Sequence, residues 1–220
     1  MKNFSKNLFF HVNSIFKNFW TIFEEYDELK TKVQKTSVDS WKDFVIPTKK
    51  SSGVLAFFPY KEAVVKKAII LIKEHEEKEI AKKMIGAITD DLMAEIAEEN
   101  ELYGFGEPLV VPIPLFDKKI LKKGFNHSEV FAKEISNLLN AEFAPKVLKK
   151  IKETKDQHGL SKEEREKNLK NAFKADPEKI SGKNILLIDD VTTTGVTLLE
   201  AEKELFAKKA RRVLKIAIAY

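Results

Sequence analysis

Residues 185–197, Ile-Leu-Leu-Ile-Asp-Asp-Val-Thr-Thr-Thr-Gly-Val-Thr, place acids, hydroxyls and one glycine in the order that a phosphate-and-sugar site needs. Four apolar residues suited to a buried strand lead to Asp189 and Asp190, and a hydroxyl-rich run then turns into a helix. A turn ahead of a helix N-terminus presents unpaired backbone N–H groups, and the helix dipole adds partial positive charge. Such a turn takes an anion, and a phosphate best of all. Thr192, Thr193, Thr194 and Thr197 add hydroxyl donors beside Val191 and Val196, and Gly195 permits a backbone geometry that a Cβ would block. Carboxylates aimed at a phosphate would repel it, but they fit as acceptors for sugar hydroxyls next to it. A phosphate site and a diol site side by side describe a ribose 5-phosphate. Plainer readings stand beside this one: paired acids after a strand serve as a metal site or a helix N-cap, and a Thr-rich turn serves only to cap. The segment has no Gly-Lys-Ser/Thr, which excludes a P-loop, and its single Gly excludes a dinucleotide fingerprint.

The hydrophobic pattern supplies the elements that hold this segment. Ile185–Ile188 reads as a buried strand, 197–209 as a helix and 213–219 as a strand, together a βαβ unit on a parallel sheet. Ligands of such sheets bind outside the carboxyl ends of the strands. Residues 54–58 and 109–114 read as two more strands, the first ended by Pro59 and the second leading into a proline-stiffened loop. A helical stretch runs from Lys61 to Glu99 with a break near His75-Glu76-Glu77, and another covers 128–140. Residues 150–172 have no apolar run long enough for a core element and read as a mobile loop or an exposed helical hairpin.

The N-terminal part is different in character. Residues 8–23 carry Leu8, Val12, Ile15, Phe16, Phe19, Ile22 and Phe23 at helical spacing. They read as a helix docked on its own domain or on a second subunit, or as a membrane-surface or partner helix. Glu24 and Glu25 close its polar face, which argues against anionic lipid. Residues 26–53 are polar, with Pro47 and Ser51-Ser52-Gly53 at their end, and read as a linker or a small irregular subdomain. The division is therefore 1–53, N-terminal helix and linker, and 54–220, one α/β domain.

Composition removes several chemistries. The chain has 220 residues and no cysteine, which excludes disulfides, Cys-ligated zinc, iron–sulfur clusters and cysteine nucleophiles. Its four histidines are scattered. A net charge of +5, from 39 basic and 34 acidic residues, is ordinary solubility and only a weak pointer to anionic partners. No apolar stretch reaches the ~20 residues of a membrane span. No signal-peptide pattern opens the chain, so the expectation is a cytoplasmic protein.

The strand, two acids, Thr-Thr-Gly turn and following Thr resemble the PRPP-binding motif of type I phosphoribosyltransferases (PRPP, 5-phosphoribosyl 1-pyrophosphate). The rest narrows the resemblance to the ComF family: Val111-Pro112-Ile113-Pro114, then Lys123-Gly124-Phe125-Asn126-His127, then Thr154, Gln157, Leu160-Ser161, Glu164-Arg165, Asn168 and Phe173. Phe57-Phe58-Pro59-Tyr60 and the helix ending near Lys73 are similar to that family's Tyr and Lys segment. The resemblance covers roughly residues 54–220. The family commonly begins with a Cys-rich zinc ribbon, so with no cysteine here no zinc is carried over. It usually has Arg where this chain has Lys123, and Gln where it has His127.

The resemblance implies a fold: a type I phosphoribosyltransferase-like parallel sheet of about five strands flanked by helices, with a small hood from the N-terminal half and an N-terminal helical extension. It implies that Asp189 and Asp190 are catalytic and contact the ribose hydroxyls, and that Val191 to Thr197 hold the 5-phosphate. Asp190 is expected to serve ligand binding more than the core. Mg²⁺ is implied with PRPP, held mainly by the ligand. Lys118, Lys119, Lys122 and Lys123 would face the pyrophosphate, or form a solvated turn. Phe125 and Asn126 would position that loop or touch the acceptor, or pack at a helix entry, where Asn126 is a good N-cap. Thr154, Gln157, Arg165 and Asn168 would reach the ligand from a lid over residues 150–172, or lie on a charged surface hairpin. His158 reads as surface. The implied function is a Mg²⁺-dependent phosphoribosyltransferase linked to competence, DNA uptake or nucleotide metabolism. The alternative is a non-catalytic module that binds PRPP or single-stranded DNA in DNA uptake. A homodimer fits either.

Overall fold

A computed structural model describes residues 27–154 and 161–220, apart from the side chains of Lys119, Lys122, Lys123 and Lys162. The expected helix over 8–23 lies outside the described residues, as do Gln157 and His158.

The central sheet has the order β1-β2-β7-β6-β3, with β1 over Thr48–Lys49, β2 over Val54–Phe58, β3 over Leu109–Pro112, β6 over Asn184–Val191 and β7 over Arg212–Ala219. Strands β2, β7, β6 and β3 are parallel, and β1 pairs antiparallel with β2. The parallel strands are apolar along most of their length because helices cover both faces of the sheet, with polar residues at the ends of β6 and at Arg212 and Lys215 of β7. Alternation along β6 sends Leu186 and Ile188 to one core and Ile185 and Leu187 to the other.

The first core packs the sheet against α3 (Ala63–His75), α4 (Lys78–Ala87) and α7 (His127–Leu139), with Leu92 of α5 (Thr89–Tyr103) and Phe105 of the loop that follows it. The break expected near His75 is present: Glu76 closes α3 in the left-handed conformation. A second break at Ile88, between α4 and α5, follows Gly86 by two residues, a lone glycine inside a helical pattern that the periodicity does not mark as a boundary.

Residues 27–53, read as a linker or a small irregular subdomain, are folded against the sheet. Residues 27–35 form helix α1, Val38–Lys42 form α2, and β1 extends the sheet. Val33 and Trp41 are wholly buried, and Trp41 meets Phe58 edge-on at 5.9 Å. Two large side chains anchor a segment whose average composition hides them.

The second core lies under α10 (Val196–Ala207). The described part of 150–172, expected as a mobile loop or an exposed helical hairpin, carries one helix and the end of one short strand, with a second short strand beginning just after it. β4 (Leu148–Lys150) and β5 (Phe173–Ala175) form a small antiparallel sheet, followed by the short α9 (Pro177–Ile180), and α8 (Lys162–Leu169) lies between β4 and β5 in the chain. Leu169 is fully buried and Ala172 joins the same core. Among the described residues, β4, α8 and β5 form the small hood over α10, where the expectation was a hood from the N-terminal half. A single leucine at the end of a charged helix supplies the anchor that no apolar run reveals.

Candidate active site

Strand β6 carries Asp189 and Asp190 to the carboxyl edge of the sheet, where both are buried at 8% and 5% exposure. The N-terminus of α7 meets them there. Ser128 Oγ donates to Asp189 Oδ1 at 3.1 Å, and the backbone N–H of Asp190 donates to the same oxygen at 3.0 Å. His127 Nε2 lies 3.7 Å from Asp190 Oδ2, and Lys73, near the end of α3, forms an ion pair with that carboxylate. Asn126 caps α7 by accepting from Ser128 N, and its amide donates to the carbonyl of Ile113 at 3.0 Å. The loop after β3 is held in turn by Ile113 N–H donating to Ile188 O. Phe125 packs against the first core. Asn126 is therefore the N-cap its sequence position allows, and Asp189 caps no helix.

The two acids are driven apart in protonation. Burial and the neighbouring Asp190 charge push Asp189 well above the usual carboxylate range. Burial acts on Asp190 in the same direction, but Lys73 and His127 outweigh it and hold Asp190 below that range. Burial also opposes the Lys73 ammonium, and Asp190, backed by Asp189, more than offsets it, so Lys73 is raised. A neutral carboxyl beside an ionised one can donate and accept hydrogen bonds at adjacent points, an arrangement that enzymes use to divide acid and base roles.

Beyond β6, Thr192 N–H still pairs with Ala219 O at 2.8 Å, and the chain then turns through Thr193 and Thr194 into Gly195, the N-cap of α10. Gly195 has φ +77°, and a Cβ there would run into the Ser52 hydroxyl of the β1–β2 turn. Any helix leaves its first N–H groups without intrahelical acceptors, and those of α10 open onto this turn.

The hood reaches the same turn. Arg165 of α8 donates from Nη1 to Thr193 Oγ1 at 2.6 Å. Ser161 and Glu164 form a reciprocal capping box at the start of α8. At its far end the Asn171 and Ala175 N–H groups donate to Glu200 and Glu204 of α10, at 2.9 and 3.0 Å. Thr154 is buried, and Asn168 is half-buried on α8. The lysine-rich segment forms helix α6 (Asp117–Lys123). Lys118 pairs with Glu153 at 2.9 Å in an exposed contact, while the side chains of Lys119 and Lys123 lie outside the described residues.

The structure thus brings together Asp189, Asp190, the 192–195 turn, α10 and Arg165. Lys73, marked in the sequence only by a resemblance to a Tyr and Lys segment, and Ser128, not singled out at all, join them. Lys73 is charged at the end of an apolar helix, which is a weak signal, and a lone Ser at a helix start gives none. A cleft of about 530 Å³ lies elsewhere, lined by Met93, Phe105, Leu109, Leu139 and Lys183 at the amino ends of β3 and β6. Among the described residues no three His, Asp or Glu side chains group as a metal cage, and no helix is long and apolar enough to cross a membrane.

Residues 76–220 match the model of the phosphoribosyl transferase domain. The chain is 29% identical over 132 residues to the DNA utilization protein YhgH of Escherichia coli, covering 60% of this chain and 58% of that protein. It is 35% identical over 96 residues to competence protein F of Haemophilus influenzae, covering 43% and 42%. Over 138 residues it is 28% identical to a ribose-phosphate pyrophosphokinase of Sulfurisphaera tokodaii, covering 58% and 43%. The matched stretches span about half the length of these relatives.

Proposed function

From the premise that the chain belongs to the phosphoribosyl transferase domain family, we propose that it binds PRPP at the carboxyl edge of its sheet and transfers the phosphoribosyl group to an acceptor. The observation that carries this reading is the succession along one strand, turn and helix: two adjacent buried acids, then the hydroxyl turn, then the α10 N-terminus. The turn and α10 receive the 5-phosphate, and the acids take the ribose hydroxyls. That leaves the pyrophosphate toward the loop after β3 and α6. Similarity to a ribose-phosphate pyrophosphokinase supports the ribose-phosphate part.

In the reaction the acceptor attacks the anomeric carbon as its bond to pyrophosphate breaks, through a transition state with oxocarbenium character. Ionised Asp190, held so by Lys73, favours the developing positive charge. Asp189, pushed toward its neutral form by burial and the neighbouring Asp190 charge, offers a proton to a hydroxyl oxygen. The donor set fits Mg²⁺ arriving on the pyrophosphate, since this ion takes as little as one carboxylate from a protein when substrate phosphates complete its shell. Asp190, the ionised acid, would be that carboxylate, with the ligand supplying most of the shell, and the ion when bound would neutralise the leaving group. The hood, seated on α10 through Leu169, shields the 5-phosphate end from water.

Calorimetric titration with PRPP, ribose 5-phosphate and inorganic phosphate tests the reading. Ribose 5-phosphate should bind more tightly than phosphate. Asp190→Asn should weaken PRPP by roughly ten- to a hundredfold, the effect of losing a hydrogen bond to a charged group. Equal binding of phosphate and ribose 5-phosphate, or an Asp190→Asn chain as tight as wild type, overturns it. Pyrophosphate release from PRPP over a panel of acceptors then reads the transfer itself.

A second reading is favoured by α6, which carries four lysines in seven residues, and by relatives named for DNA utilization and competence. In it the chain binds single-stranded DNA without transfer. DNA titration across a salt series decides, because a steep loss of affinity with salt marks phosphate contacts.

A further inference from the structure

Among the described residues, Arg165 is the hood side chain that touches the phosphate turn, and its charge is not spent elsewhere: it forms no ion pair with any of them. Its Nη1 donates to Thr193 Oγ1 at 2.6 Å, and its Nε is buried with no partner. A guanidinium stays protonated at every working pH. The protein therefore sets a permanent cation directly behind a hydroxyl of the turn and leaves its counter-charge to be supplied.

The contact also fixes what that hydroxyl does. A threonine hydroxyl has one O–H to donate and two lone pairs to accept with. With the guanidinium on one lone pair, the O–H is polarised and turned away from Arg165, and hydrogen bonds in series strengthen one another. Thr193 is itself exposed and lies just ahead of the α10 N-terminus, so its proton is presented where an anion would sit. Arg165 is not a loose side chain brought there by chance. It lies one turn ahead of fully buried Leu169 on a helix whose start is closed by the Ser161–Glu164 box. The segment that follows is pinned to α10 through Glu200 and Glu204.

We infer that Arg165 is a positioning residue that makes Thr193 a charge-backed donor, so that the turn selects a doubly charged phosphate ester over a singly charged isostere. This rests on the phosphoribosyl reading of the site, and it adds a specificity that the backbone turn alone would not have.

The test is calorimetric titration of the full chain with ribose 5-phosphate and with ribose 5-sulfate, its singly charged isostere. Wild type should prefer the phosphate. Arg165→Gln and Thr193→Val should each weaken ribose 5-phosphate roughly tenfold, as expected for a lost charge-assisted contact, and should narrow the preference over sulfate. Because the two act as one unit, the double variant should bind about as well as the weaker single one. Arg165→Lys should recover part of the phosphate preference, which a purely structural role would not. Unchanged preference in Arg165→Gln, or fully additive losses, overturns the inference while leaving the phosphoribosyl reading in place. Thr193→Val leaves α8 untouched, so unchanged affinity there overturns it even if Arg165→Gln loosens the helix. A wild-type chain that does not bind ribose 5-phosphate overturns the parent reading instead.

Discussion

Lys73, near the end of α3, and Asp190, at the carboxyl end of β6, form an ion pair that ties the first helical layer to the candidate site. The pair explains how a carboxylate at 5% exposure stays ionised beside a second acid. It also gives Asp190 a structural role that its position at a strand end does not reveal.

Breaking the pair should cost stability as well as ligand affinity. Removing one partner of a buried ion pair costs about 3–5 kcal/mol, and the lower end applies here because Lys73 is 27% exposed. Lys73→Met should therefore lower the unfolding free energy by about 3 kcal/mol. Asp190→Asn should lower it less, since the orphaned ammonium can turn toward water. The double variant Lys73→Met/Asp190→Asn should recover much of the loss, because no uncompensated charge remains. Urea unfolding of the four chains checks this, and additive losses in the double variant would contradict it.

The sheet and the phosphate turn were legible because they depend on local pattern. Ile185–Ile188 reads as a buried strand, the α10 start follows the Thr-Gly turn within one residue, and β7 begins one residue from its expected place. What the pattern missed depends on single residues acting over long separations. Trp41 and Val33 turn a polar stretch into part of the core, and Leu169 seats a charged helix. Lys73 and Ser128 find Asp190 and Asp189 only after the sheet has brought α3 and α7 to its edge. The strands β4 and β5 are three residues each, too short for alternation to register.

Asp189 should make the ligand-free chain more stable in mild acid than at neutral pH, as far as this one group contributes. Its pKa is higher folded than unfolded, so the stability it confers is complete below the unfolded value. That stability is lost as pH rises toward the folded value, by about 1.4 kcal/mol for each pH unit between the two. Asparagine keeps the accepting oxygen used by Ser128 Oγ and Asp190 N–H. Asp189→Asn should therefore raise the melting temperature at neutral pH, with the gain vanishing as the pH falls to the ordinary carboxylate range. A gain that is equal at both ends would show that the titration is not its source.

Glu200 and Glu204 should set the amide protection of the hood base. Each accepts a backbone N–H from the 171–175 segment, and such bonds to charged acceptors contribute about 1.5–3 kcal/mol. Glu200→Ala should speed hydrogen exchange at Asn171 while leaving β6 amides unchanged. Protection at Asn171 equal to wild type would mean that the buried Leu169 alone seats the hood.

Gly195 should resist substitution for two separable reasons. Its φ of +77° disfavours any residue with a Cβ by roughly 1–2 kcal/mol. Independently, a Cβ there would meet the side chain of Ser52, whose hydroxyl is buried without a partner. Gly195→Ala incurs both costs, whereas Gly195→Asn tolerates the left-handed backbone better and keeps the collision. Ser52→Gly removes the collision alone. By itself it should be close to neutral, since losing an unsatisfied buried hydroxyl offsets the added freedom of the turn. The expected order of stability is wild type, then Gly195→Ala/Ser52→Gly, then Gly195→Asn, then Gly195→Ala. Ribose 5-phosphate affinity should fall in Gly195→Ala and recover only in part with Ser52→Gly, because relieving the contact returns the start of α10 toward its place but leaves the backbone strained. Melting curves and titrations of the four variants against wild type check both quantities. If Ser52→Gly rescues neither stability nor affinity, the β1–β2 turn does not set the position of the phosphate turn.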